Sequence, residues 1–150
     1  MFELTDQPIC PDDLKIAMSR TDCGGFNSFE GWVRDWNEGR RVTGLRYEAF
    51  EELALKEGRR IIEEVCRKHP VRELRAVHRV GSLKLGEVAV WIGAAGQHRE
   101  EAFAACRLAI DEIKVRVPIW KKEFYEGGES EWVGCESCAH RARQVGAVSP

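Results

Sequence analysis

The chain has 150 residues, 43% of them apolar, and its 23 basic and 25 acidic side chains leave a net charge of −2. That is the length of one ordinary domain with enough apolar material for a core. The charge balance argues against a chain-wide nucleic-acid footprint. The sequence has no apolar run of membrane-spanning length and no basic-then-apolar signal pattern at its N-terminus, so a cytoplasmic protein is expected.

In chain order, Pro11-Asp12-Asp13 opens a short helix that ends before Cys23-Gly24-Gly25. Residues 26–34 alternate as a strand. Residues 35–41 are polar, contain Gly39 and predict a mobile loop. Residues 42–48 form a second strand with Leu45 and Tyr47 on one face. The period then changes. Leu53, Ala54, Glu57, Ile61, Ile62, Val65 and Cys66 mark a helical stripe over about residues 50–69, which Pro70 ends. Residues 72–80 are a strand, 81–86 a turn, and 87–95 an apolar central strand. The longest helix runs over about residues 98–116. Its predicted buried face is Ala102, Phe103, Cys106, Ala109, Ile110, Ile113 and Val117. Residues 119–124 form a last strand and 131–133 a short edge; after Cys135 a loose polar tail is expected. There is no repeat and no low-complexity linker. The reading is one α+β domain over residues 1–150, with a mixed or antiparallel sheet and two main helices.

Two lysines stand out. Pro118 stops the long helix and pushes Val117 towards an extended conformation, so Lys114 falls in the last helical turn and Lys121 on the strand that follows. Two ammonium groups held close repel, so one can lose its proton near neutral pH, or both can hold an anion. The pair is a candidate site for amine chemistry or phosphate binding. Cys135-Glu136-Ser137-Cys138-Ala139-His140 looks like half a zinc site, but the usual second pair is missing, so no metal is expected. In a reducing compartment the six cysteines are mostly free thiols.

A set of ordered pieces is more specific. They are Phe29-Glu30-Gly31-Trp32-Val33-Arg34, His78-Arg79-Val80-Gly81 with Gly86-Glu87, His98-Arg99 with Ala102-Phe103, Asp111-Glu112-Ile113-Lys114, Val117-Pro118-Ile119-Trp120-Lys121-Lys122-Glu123, and Trp132. In this order and spacing the chain closely resembles the catalytic (large) subunit of molybdopterin synthase. The resemblance implies a sulfurtransferase with an α/β hammerhead-type fold and no resident cofactor. It implies that a ubiquitin-like small subunit, carrying a thiocarboxylate on its C-terminal Gly-Gly tail, delivers two sulfurs in turn to cyclic pyranopterin monophosphate. It also implies a homodimer with one small subunit at each end, a heterotetramer.

Lys114 and Lys121 match the family's essential lysines. They would serve proton transfer or oxyanion stabilisation, or a transient covalent link to the small subunit's tail. Arg34 matches an arginine expected to bind phosphate or pterin through its planar fork of donors. His98 and Arg99 begin the long helix, where free N–H groups favour an anion. Sixteen residues separate His98 from Lys114, about 24 Å along a helix. A small pterin cannot bridge that span, so a site shared across a homodimer follows once both ends are assigned to catalysis. Phe29 and Trp120 read as core aromatics, and Trp32 and Trp36, evenly spaced about Arg34, as candidates for its face. The family's arginine beyond Trp132 falls near Glu136 here, with Arg141 or Arg143 as replacements. Lys122 points to the opposite face from Lys121 and is assigned to solvent. The competing reading is a non-catalytic module binding a phosphate, a nucleotide or RNA. A metal-dependent hydrolase ranks last, since none of the four histidines shows ligand spacing.

Overall fold

The structure is a computed structural model that describes residues 1–133. Its elements are β1 (Phe2–Thr5), α1 (Pro11–Ala17), β2 (Gly25–Trp32), β3 (Trp36–Asn37), β4 (Arg40–Ala49), α2 (Glu51–Lys68), β5 (Glu73–Arg79), β6 (Gly81–Leu83), β7 (Val88–Gly96), α3 (Arg99–Arg116), β8 (Ile119–Tyr125) and β9 (Ser130–Val133). The α+β expectation holds. One sheet has the order β1-β5-β7-β2, with β1 parallel to β5 and the other neighbours antiparallel. The second has the order β3-β4-β8-β9, with β6 paired to β4. No helix among the described residues is long and apolar enough to cross a membrane.

The main core lies between the first sheet and helices α2 and α3. Leu74 and Ala76 of β5 and Val90, Ile92 and Ala94 of β7 meet Ile61 and Val65 of α2 and Ala105, Ala109 and Ile113 of α3. Both helices are signposted locally. α2 has Glu51 and Glu52 in its first turn and Arg67 and Lys68 in its last, each opposing the helix dipole. At the start of α3 the Glu101 carboxylate accepts the His98 N–H at 2.8 Å, and the helix stops before Pro118.

Three expectations need correction. Residues 35–41 are a tight hairpin rather than a mobile loop. Asn37 pairs with Arg40, and the two residues between, Glu38 (φ 47°) and Gly39 (φ 80°), both take the left-handed conformation that a two-residue β-turn requires. Phe103 is 58% exposed. The buried stripe of α3 is Ala102, Ala105, Cys106, Ala109, Ile110 and Ile113, and a residue next to Ala102 in sequence is turned about 100° off it. Phe29 and Trp120 are not core side chains in this chain either; both keep more than a third of their surface. β1 had no signal in the sequence: four residues with one fully buried side chain, Phe2, are too short for a period.

Candidate active site

Strand β8 alternates its side chains. Lys121, Glu123 and Tyr125 take one face; Lys122 takes the other, with Nζ 5.9 Å from the ring centre of Phe124 and 5.6 Å from that of Trp132. Glu123 is only 3% exposed. Its carboxylate accepts from Lys121 Nζ at 2.7 Å, from Asn37 Nδ2 at 2.9 Å and from the Tyr125 hydroxyl at 3.0 Å. Burial alone would raise this carboxyl. The hydrogen bonds from Lys121, Tyr125 and Asn37, with the Lys121 charge, outweigh it and hold the group below the usual carboxylate range. Asn37, 8% exposed, accepts from Arg34 Nη2 at 2.7 Å. Arg40 stacks its guanidinium 3.6 Å from the centre of the Tyr125 ring. Arg34 and Lys121, 87 residues apart in sequence, therefore stand on one hydrogen-bonded row, Arg34–Asn37–Glu123–Lys121.

Lys114 lies in the last turn of α3. Tyr47 faces Lys121 directly across the β4–β8 ladder, and its ring meets His78 edge-on at 4.9 Å. His78 is buried. Its Nδ1 lies 2.7 Å from the Arg79 carbonyl oxygen, and a carbonyl can only accept, so the proton sits on Nδ1. Burial pushes the His78 pKa down to about 4 against the pull of that hydrogen bond, and the nearby positive charge of Lys114 adds to the push. The ring is thus neutral at neutral pH, with Lys114 close enough to be felt. Lys121 thus neighbours Tyr47, and the charge of Lys114 acts on His78.

His98 and Arg99 are not brought to this place within one chain. They are exposed at the opposite end of α3, and their backbone is seated against glycines. A Cβ added to Gly25 would lie 2.9 Å from the His98 carbonyl and from the Arg99 nitrogen, and one on Gly24 would lie 2.8 Å from the Gln97 oxygen. Between the two ends of α3 runs a groove against β2, about 880 Å³ in volume, lined by Phe29, Phe103, Cys106, Ile110 and Lys114 among others. Burial pushes the Cys106 thiol up to about 11. Trp32 and Trp36 are exposed, as is Arg34 between them. The β2–β7 register shifts at Gly31/Trp32, and the strand ends there. Among the described residues no group of three or more His, Cys, Asp or Glu side chains could hold a metal. Cys135, Cys138, Arg141 and Arg143 lie outside the described residues.

Sequence reasoning assigned no role to Asn37, Glu123, Tyr47 or His78. Glu123 was within reach of it, since Lys121, Glu123 and Tyr125 repeat at the period of a strand. Asn37 was not, because its contact with Glu123 spans 86 residues of sequence.

The model of the MoaE protein family matches residues 4–116, a stretch that holds Arg34, Tyr47, His78, His98, Arg99 and Lys114. The chain belongs to the MoaE family. Among its relatives is the molybdopterin synthase catalytic subunit of Thermoplasma volcanium, 42% identical over 130 residues, covering 87% of this chain and 95% of the relative. Molybdopterin synthase catalytic subunit 1 of Mycobacterium tuberculosis is 44% identical over 131 residues, covering 87% of this chain and 88% of the relative. The crystal structure of molybdopterin synthase from Staphylococcus aureus superposes with a TM-score of 0.83 at 37% identity, covering 89% of this chain and 96% of that one. These MoaE-family alignments cover most of the chain, and the Staphylococcus aureus structure shares its fold.

Proposed function

We propose that this chain is the catalytic subunit of a molybdopterin synthase. It moves sulfur from the thiocarboxylated tail of a ubiquitin-like small subunit to cyclic pyranopterin monophosphate. The observation that supports this reading is the row Arg34–Asn37–Glu123–Lys121, with the charge of Lys114 felt at His78, whose ring meets the Tyr47 that faces Lys121: an anionic donor and a phosphate-bearing acceptor call for such cations. The relatives' name, catalytic subunit, supports a partner subunit for this chain as well.

The roles follow from the surroundings. Lys121 is ion-paired and held on a strand, which suits an oriented cation that stabilises the oxyanion formed at the acyl carbon as sulfur departs. Lys114 stands by a neutral imidazole and an aromatic ring, a setting suited to proton transfer or to a transient acyl link with the tail. Arg34 offers its remaining donors to the phosphate.

His98 and Arg99 join the same site from the second copy of a homodimer. The span of about 24 Å along α3 keeps them from their own chain's lysines. The exposed Phe29 and Phe103, which line the groove between β2 and α3, give a dimer an apolar surface to cover.

Reconstitution with a thiocarboxylated small subunit and the cyclic pterin tests the activity: Lys121→Ala should abolish dithiolene formation in a chain that still folds, though less stably, and still docks the small subunit. Mixing tests the shared site. Lys121→Ala and Arg99→Ala dimers, each inactive, should regain about a quarter of wild-type activity when their subunits are exchanged, since half the dimers are then mixed and each carries one intact site. No recovery after verified exchange, or full activity from a monomer, refutes the shared site.

A further inference from the structure

The polarity of the row joining Arg34 to Lys121 has a chemical requirement. An arginine side chain has only donors to offer and an ionised carboxylate only acceptors. Anything placed between them at hydrogen-bond distance of both must accept on one side and donate on the other. Asn37 does this with Oδ1 towards Arg34 at 2.7 Å and Nδ2 towards Glu123 at 2.9 Å, and the chemistry of its neighbours leaves the amide only that orientation. Both oxygens of the Glu123 carboxylate are used. Oε1 takes Lys121, and Oε2 takes Asn37 and Tyr125. Asn37 is itself more than nine-tenths buried, on a hairpin strand of two residues whose left-handed turn fixes its direction. Its position is therefore set by the backbone before any ligand arrives.

We propose that Asn37 is a positioning residue for sulfur transfer, whose amide converts donor to acceptor polarity and so locks the substrate-side guanidinium of Arg34 and the Glu123–Lys121 ion pair into one register. This rests on the reading of Arg34 and Lys121 given under Proposed function. Asn37 does not touch the reacting atoms. It fixes how far apart the phosphate-binding and the sulfur-side cations stand. A substrate gripped by Arg34 then meets Lys121 already in line, and displacement of the order of 1 Å in such an arrangement costs about 100-fold in rate.

The test uses the full chain with its small subunit and the cyclic pterin. In Asn37→Ala both links are lost. Arg34 no longer holds its place, which raises KM for the pterin, and Lys121 loses its alignment, which lowers kcat; kcat/KM should fall on the order of 10- to 100-fold, with small-subunit affinity and far-UV circular dichroism unchanged.

Asn37→Asp is nearly isosteric and gives the sharper readout. Its carboxylate still accepts from Arg34 but faces the Glu123 carboxylate where Nδ2 stood, amid Arg34, Lys121, Tyr125 and the stacked Arg40. One shared proton restores a donor between the two acids. The Asp variant should therefore be impaired at neutral pH and recover activity as pH falls, a displacement of the pH profile that a merely structural role would not produce. Wild-type kcat/KM in a folded Asn37→Ala, or a depressed but unshifted profile in Asn37→Asp, overturns the proposal. If Lys121→Ala keeps full transfer, the reading of the site fails instead. An inactive Lys121→Ala beside a wild-type Asn37→Ala removes only the positioning role.

Discussion

Removing the Glu123 carboxylate tests the energetics of the site. In Glu123→Ala three donors lose their acceptor together: the Lys121 ammonium, the Asn37 amide and the Tyr125 hydroxyl. Breaking a buried ion pair by deleting one partner costs about 3–5 kcal/mol, because the remaining charge is left uncompensated. Against a typical domain stability of about 5–15 kcal/mol this is a large fraction. For a chain of this size it corresponds to a fall in melting temperature of roughly 6–20 °C. Glu123→Gln keeps the volume and one acceptor oxygen, so its cost should be nearer the about 1–3 kcal/mol of an unmet polar group.

The decisive comparison is a double-mutant cycle with Lys121→Met. Once Lys121 is gone the carboxylate has lost its charged partner, so Glu123→Gln in that background should cost less than in the wild type, with a coupling of about 0.5–3 kcal/mol. Thermal and urea unfolding of the four proteins measure it. A Glu123→Ala protein that melts within two degrees or so of wild type, or a cycle that closes with no coupling, would show that the row contributes nothing to the fold.

Two further outcomes concern the rest of the molecule. Gly58 lies inside α2, where alanine would normally stabilise by about 1 kcal/mol. Here a Cβ would sit 2.1 Å from Cδ1 of the buried Phe2 ring, so Gly58→Ala should lower stability by about 1 kcal/mol or more in urea unfolding, through overpacking. His78 titrates near 6.5 when unfolded and at about 4 when folded, so between those values the unfolded chain binds more protons and stability falls as pH falls. The gap is worth roughly 3 kcal/mol by pH 4, and unfolding curves of His78→Asn, which retains a donor for the Arg79 carbonyl, should have a flatter pH dependence between pH 6.5 and 4.5.

Much of the fold was legible because its long elements carry strong periods and clear stops. The stripe of α2, Pro70, the apolar run of β7 and Pro118 each appear locally, and α2 and α3 lie within a residue or two of where pattern placed them, whereas α1 ends at Ala17, well before the expected stop at Cys23. What escaped was either short or defined by distant partners. β1 is held to β5 by residues more than 70 positions away, and the β3–β4 hairpin was hidden because its left-handed turn uses Glu38, a residue type with no turn signature. The surface aromatics misled for a related reason: a sequence shows that Phe29, Phe103 and Trp120 are apolar, but not whether this chain alone covers them. The candidate site divides in the same way. Its lysines and Arg34 could be picked out from motif and helix stop, whereas Asn37 became visible only when the hairpin brought it to β8.

Cys106 lines the groove that also holds Lys114, yet its thiol is kept protonated by burial, with a pKa of about 11. At pH 7 only on the order of one molecule in ten thousand would carry a thiolate there. A thiol so rarely ionised is a poor nucleophile towards an activated acyl group. Among the residues that line this groove, Cys106 is thereby held in its unreactive thiol form.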